Sequence, residues 1–243
     1  MQSRQRQVPR DTMEIARERV RAWQSGPLDL SWLGLTELPE LPAGLTKLYC
    51  CDNQLTTLPD TLPAGLRQIY CYHNRLSSLP YTLPASLTTL YCYENQLLSL
   101  PDTLPASLTT LHCDNNQLTT LPDTLPTGLQ ALHCYENHIT RLPETLPAGI
   151  RELYCDNNQL TTLPQTLPAV LTRFTCSNNN FPDIEDDESI PDYVARVNAI
   201  AEAASQERIV QRCALVFEEL AQKVWHPSRV ERRMLAGVDM EDM

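Results

Sequence analysis

Cysteine is the first residue type in this 243-residue chain that could do chemistry, and the chain contains nine of them. In successive parallel strands, thiols at equivalent positions point the same way, which suits disulfide geometry poorly. We therefore predict a buried column of thiols acting as small hydrophobes, in a reducing compartment. We expect Cys51 on an exposed strand face and Cys213 in a helix core. The seven cysteines of the column recur every 21 residues: Cys50, Cys71, Cys92, Cys113, Cys134, Cys155 and Cys176.

Two histidines and a carboxylate are the second candidate for chemistry. His112 and His133 are 21 residues apart, and Asp114 follows His112 by two positions. Adjacent parallel strands would place these side chains on one face, an arrangement compatible with zinc ligands. The histidines also fit a column of aromatic residues described below. Because that alternative is favoured, the sequence predicts neither a metal nor another cofactor.

A 21-residue repeat must position these residues. Its pattern is Leu-x-x-Leu-x-Cys-x-x-Asn-x-Leu-x-x-Leu-Pro-x-x-Leu-Pro-x-x, with six complete copies over residues 45–170. A partial copy follows to Pro182, and a shorter copy over residues 28–42 precedes them, giving about eight coils. This spacing is typical of leucine-rich repeats.

Each coil is predicted to begin with a short parallel strand, such as Leu48–Cys50. Side chains alternate along it, so that Leu48 and Cys50 face the core, while Lys47, Tyr49 and Cys51 face outward. The Asn of each coil, such as Asn53, can bond backbone groups of its own and the adjacent coil. Two Pro in each return limb exclude a helix there. The predicted fold is an α/β solenoid, a right-handed leucine-rich-repeat horseshoe with an extended, polyproline-like convex side and helical caps.

The outward side of the predicted sheet, the concave face, is rich in tyrosine. Tyrosine offers large contact area at low entropic cost, which favours a binding surface. The alternative is that stacked residues only stabilise neighbouring strands. Carboxylates nearby favour a protein partner carrying Lys or Arg, which Tyr rings can also hold. The predicted partner-binding residues are Tyr49, Tyr70, Tyr72, Tyr91, Tyr93, Glu94, His112, Asp114, His133, Tyr135, Glu136, Tyr154 and Asp156.

Segments on both sides of the repeats are predicted to be caps. Residues 1–27 form an N-terminal helical cap, in which Asp11 caps a helix that runs to about Gln24. Residues 183–243 hold an acidic linker and a C-terminal helical cap, which either packs on the last coil or binds a partner separately. Three helices are expected there, over residues 191–204, 205–225 with Ser205 as cap, and 228–237.

Charge and hydropathy exclude several classes of function. The net charge of -11 disfavours binding to the nucleic-acid backbone. No run of about 18 apolar residues occurs, so no membrane association is expected. The basic residues of the first ten positions precede no apolar stretch, unlike a standard secretory signal. The predicted localisation is cytoplasmic.

The repeat resembles the short coils of bacterial type III secreted effectors of the YopM and invasion-plasmid-antigen H kind, which commonly have Val at the Cys position. This resemblance covers residues 28–182 and implies an effector-like protein acting in the host-cell cytoplasm. Residues 224–230, Val-Trp-His-Pro-Ser-Arg-Val, also resemble the tail of leucine-rich-repeat proteins of giant DNA viruses. That second resemblance implies a viral host-interaction protein.

These observations predict a non-catalytic module that binds a protein partner on its concave face. A structural protein within a larger assembly is the main alternative. A ubiquitin ligase is a further alternative, because invasion-plasmid-antigen H effectors carry a catalytic Cys-x-Asp motif. Here the corresponding residues are Cys213-Ala-Leu215, and the C-terminal segment is too short for that domain. The chain is therefore not expected to be an enzyme.

Overall fold

The computed structural model describes residues 11–185 and 187–225, with side chains up to residue 216. The chain begins with helix α1 (Thr12–Ala22) and continues through eight three-residue strands to helix α2 (Ile190–Trp225). The strands are β1 (Pro27–Asp29), β2 (Lys47–Tyr49), β3 (Gln68–Tyr70), β4 (Thr89–Tyr91), β5 (Thr110–His112), β6 (Ala131–His133), β7 (Glu152–Tyr154) and β8 (Arg173–Thr175).

The eight strands form one parallel sheet in sequential order, which confirms the predicted solenoid. From β2 onward, neighbouring strands pair residues that are 21 positions apart, as in Leu90 with Leu111. Each of these strands begins one residue before the predicted start. The return limbs within residues 28–182 contain neither helix nor strand, as expected from their paired prolines.

The core is built from the same inward positions in every coil. Leu111 and Cys113 are completely buried in β5 and just after it, as Leu48 and Cys50 are at β2. All seven cysteines of the predicted column are buried and unpaired. The thiols therefore fill space between the coils, and Leu58 and its counterparts close the core from the return limb.

The repeated asparagines connect neighbouring coils through their side-chain amides. Asn116 Nδ2 donates to the carbonyl oxygens of Cys92, Cys113 and Asp114, at 3.0 to 3.1 Å. Its Oδ1 accepts from the backbone N–H of Leu97, at 2.9 Å. The amide thus satisfies buried backbone groups of two coils, as the sequence predicted.

The N-terminal helix is capped as predicted. The Asp11 carboxylate accepts from the backbone N–H of Met13, at 3.1 Å. The helix ends at Ala22, two residues before the predicted end, and its Ala16 is fully buried. Residues 1–10 of the predicted cap lie outside the described residues.

The prediction of separate helices at residues 191–204 and 205–225 is wrong, because α2 is continuous through both. Serine can cap a new helix only if the preceding residues are not helical. Residues 192–225 contain no Gly or Pro that would end the first helix before Ser205. The predicted third helix, at residues 228–237, lies outside the described residues. None of the described helices is long and apolar enough to cross a membrane.

Chain contacts divide the protein into two units, the first ending at Asn198 and the second beginning at Ala199. In the first unit, Tyr193, Val194 and Val197 are buried, and Asn198 Oδ1 accepts from the backbone N–H of Leu163, at 3.0 Å. This start of α2 therefore covers the last coil. The domain boundaries after residues 27 and 182 stay predictions.

The described side chains of the second unit are mostly exposed. Cys213 is exposed, so its predicted place in a helix core is wrong. Apolar residues at helical spacing are buried only when another element covers them, and Leu215 and Val216 are 66% and 49% exposed.

Candidate functional site

The central column of the concave face is a continuous stack of aromatic rings. The third residue of each strand from β2 to β7 supplies one ring, and the parallel register places each ring beside the next. Centroid separations run from 3.7 Å, between His112 and His133, to 5.0 Å, between Tyr70 and Tyr91. All six rings are half-buried, so that part of each remains accessible. The column consists of Tyr49, Tyr70, Tyr91, His112, His133 and Tyr154.

A second column runs beside it, two residues further along each coil. Tyr72 and Tyr93 stack face to face, with centroids 4.5 Å apart and planes 5° apart. Tyr91 lies 6.3 Å from Tyr93, which connects the two columns. The structure therefore brings the predicted tyrosines of these coils into one aromatic surface.

Cys51 belongs to the second column but is buried, so its predicted exposure is wrong. Its Sγ lies 3.1 Å from Ser31 Oγ of the preceding coil. The Tyr72 hydroxyl hydrogen-bonds the same thiol from the following coil. The small Cys51 side chain is therefore covered by residues of the preceding and following coils.

Asp114 also lies deeper than predicted, with only 3% of its surface exposed. The Tyr135 hydroxyl donates to its carboxylate, and Asn115 Nδ2 lies 3.4 Å from Oδ2. Burial raises the pKa of the Asp114 carboxyl. Two coils further on, Asp156 is half-buried and accepts from Thr175 Oγ1 and the Ser177 N–H.

The third column has a left-handed backbone that the sequence analysis missed. All seven of its residues have φ between 49° and 56°. Asn, Asp and His are enriched in this conformation, whereas Glu94 and Glu136 adopt it at a cost in strain. Four of the seven residues are Asn or Asp, and this enrichment was the available signal. The column is Asp52, His73, Glu94, Asn115, Glu136, Asn157 and Asn178.

Two charged residues beside the central column were not among the predicted binding residues. They are Lys47 and Glu152, the first residues of β2 and β7. Lys47 Nζ lies 4.9 Å from the Tyr49 ring centroid and 5.1 Å from that of Tyr70. Glu152 Oε2 lies 3.4 Å from His133 Nε2, and Glu152 Oε1 accepts from Arg173 Nη1 at 2.9 Å. Tyrosine rings of the central column therefore already hold one cation.

Burial sets the protonation of the groups that could do chemistry. It lowers the pKa of His112 to about 4, with a contribution from nearby His133, and it lowers the pKa of His133. Both imidazoles are therefore neutral at pH 7. Hydrogen bonds with Cys155 and Tyr193 lower the pKa of the Cys176 thiol, at the end of the column. Burial raises the pKa of the column thiols from Cys50 to Cys134, to about 12 for Cys71 and Cys134. These thiols are poor nucleophiles, because the thiolate is the reactive form.

Comparisons with known proteins agree with this geometry. The family model described as Leucine Rich Repeat matches residues 107–127. YopM from Yersinia enterocolitica WA-314 is 40% identical, with a TM-score of 0.65, over 68% of this chain and 37% of that protein. The leucine-rich-repeat domain of a Shigella effector is 34% identical, with a TM-score of 0.64, over 72% of this chain and 80% of that domain.

The chain thus corresponds to less than half the length of that YopM, but to most of the Shigella domain. No curated protein matches it in sequence.

Proposed function

The chain belongs to the leucine-rich-repeat family, and on that premise we propose that it is a non-catalytic module that binds a protein partner across its concave face. The observation that carries the proposal is the aromatic surface formed by the central and second columns. Its rings are held in place by stacking, so that they lose little conformational entropy when a partner binds. The inward positions repeat almost unchanged, whereas these outward positions vary from coil to coil.

Charge favours a partner with Lys or Arg side chains. Glu94 and Glu136 are exposed beside the aromatic columns, and Asp156 is half-buried among them. The contact of Lys47 with two tyrosine rings illustrates how a partner's cation can be held. The net charge of -11 argues against nucleic acid as the partner, and nothing in the sequence favours a membrane.

The structural relatives support a cellular setting for the proposed activity. Similarity to the Yersinia and Shigella effectors supports an effector-like role in the cytoplasm of a host cell. The resemblance to viral proteins depends on residues 224–230, of which 226–230 lie outside the described residues, and a viral host interaction stays a prediction.

Two alternatives belong to other classes. In a structural or assembly protein, the ring stack would serve only to hold neighbouring coils together. A ubiquitin ligase would require the Cys-x-Asp motif, which Cys213-Ala-Leu215 lacks.

Replacing residues of the aromatic surface distinguishes the partner-binding proposal from the structural alternative. The triple change Tyr70→Ala, Tyr91→Ala and Tyr93→Ala is compared with Tyr81→Ala, a tyrosine 79% exposed in a return limb. Capture of a partner from lysate of the cell in which the protein acts is quantified by mass spectrometry. We expect the triple variant to remain folded and lose the partner, and Tyr81→Ala to retain it. Retained capture by the triple variant contradicts the proposal, and its unfolding favours the structural alternative.

A further inference from the structure

Three potential metal ligands meet on the concave face. Ligand atoms of His112, Asp114 and His133 all lie within 4.8 Å of one another, and this is the only such group among the side chains described in residues 11–185 and 187–216. A tetrahedral ion with bonds of about 2.0 to 2.1 Å separates its ligands by roughly 3.3 Å. The longest separation therefore has to shorten by about 1.5 Å at most, and the stacked His112 and His133 rings have to tilt so that both lone pairs point at one ion.

The aromatic column explains the two histidines, but it does not explain Asp114. The residues on either side of Asp114 in the second column are Tyr93 and Tyr135, and a carboxylate at this depth is costly without a compensating charge. Its hydrogen bonds come from Tyr135, Asn115 and its own backbone N–H, and no Lys or Arg in the described part of the chain forms an ion pair with it. A bound cation would supply the missing charge.

Glu152 provides the outer support that ligating histidines usually have. With a proton on Nε2, His133 donates to Glu152 Oε2, at 3.4 Å, and keeps the lone pair of Nδ1 for an ion. The Glu152 carboxylate is in turn held by Arg173, at 2.9 Å. A carboxylate behind a metal-bound imidazole fixes the tautomer and the ring orientation.

We propose that His112, Asp114 and His133 bind one divalent first-row transition ion, represented by Zn²⁺, and that Glu152 positions His133 for this purpose. Two imidazoles and one carboxylate suit Zn²⁺ and also Fe²⁺, whereas Ca²⁺ and Mg²⁺ prefer oxygen ligands alone. Three protein ligands leave a coordination position open. Both imidazoles are half-buried, so that water or a donor group from outside can reach that position.

Zinc binding to the full-length, chelator-treated chain tests the site by calorimetry, with Zn²⁺ alone as the probe. His112→Tyr and His133→Tyr remove ligands while keeping the ring type found elsewhere in the column, and Asp114→Asn removes the carboxylate. We expect one ion per chain in the unchanged protein and at least tenfold weaker binding in each variant. Glu152→Gln should weaken binding about 10- to 100-fold without removing a ligand.

Matched controls separate this site from other binding. Asp156→Asn changes the equivalent carboxylate two coils away, and His73→Ala removes another imidazole of the concave face; neither should alter zinc affinity. Cys213→Ser should also have no effect, and bound Co²⁺ should show no thiolate charge-transfer absorption. Circular dichroism of each variant checks the fold.

Several results would overturn the proposal. These are no zinc binding, affinity unchanged in His112→Tyr and Asp114→Asn, dependence on Cys213, or Ca²⁺ binding as tightly as Zn²⁺. If Asp114→Asn fails to fold, the two His→Tyr variants decide the question.

Discussion

The repeat region and the second unit, which begins at Ala199 within helix α2, contain similar apolar residues in opposite environments. Leu111 is fully buried in β5, whereas Leu215 in α2 is 66% exposed. In the repeats, every inward side chain meets its counterpart in the next coil, 21 residues away. In the described second unit, helical spacing alone provides no such neighbour. Sequence periodicity therefore predicts burial only where the fold supplies a second surface for the same residues.

Thiol reactivity should show the largest contrast between the two regions. Eight of the nine cysteines are buried, and Cys213 is exposed. With a chromogenic disulfide reagent, we expect one thiol to react rapidly in the native protein and nine to react in denaturant, because burial blocks the reagent's access to the other eight. Cys213→Ser should remove the fast phase. Several fast thiols in that variant would mean that the cysteine column is accessible.

Truncating one leucine in each region compares their packing directly. Leu111→Ala should lower the free energy of unfolding by about 2 to 5 kcal/mol, because it leaves a cavity among close-packed coils. Leu215→Ala should change it by about 0.5 kcal/mol or less, as at other exposed positions. Urea unfolding measures both. Equal losses would contradict the environments assigned to the two leucines.

A repeated asparagine can be compared with an exposed one in the last copy of the repeat. Asn116→Ala removes three donated hydrogen bonds and one accepted bond in a buried place, and should cost about 2 to 4 kcal/mol. Asn180→Ala removes one longer bond, of 3.3 Å, at an exposed position and should cost less than about 1 kcal/mol. A small loss at Asn116 would show that water replaces the amide.

The start of α2 should make a small, pH-dependent contribution. Arg196 donates to Glu188 at 2.7 and 2.8 Å, and these bonds lower the pKa of the Glu188 carboxyl. A carboxyl whose pKa is lower when folded stabilises the protein above its unfolded pKa, near 4.3, and loses this effect as the pH falls. We expect Glu188→Gln to lower the Tm slightly at pH 7 and not at pH 3. A difference that grows on acidification would contradict this ion pair.

The fold could be predicted from the sequence because the same residue types recur at each inward position of successive coils. The Leu, Cys and Asn columns therefore identify strands, core and turn together. The left-handed residues are not evident from the sequence because Glu gives no signal for that conformation at Glu94 and Glu136. The depth of Cys51 and Asp114 could not be read from alternation, since it depends on the sizes of residues in adjacent coils. The continuity of α2 through Ser205 follows from missing helix breakers, which the capping preference of serine concealed.

Site-specific photo-crosslinking tests the proposed recognition surface most directly. A photoreactive amino acid replaces Tyr91 in one protein and Tyr81 in another, and both proteins are irradiated in the cell in which the chain acts. The account predicts a protein crosslinked through position 91, on the concave face, and absent at position 81, in the return limb. The same protein crosslinked only through position 81, or equally through both, would contradict it.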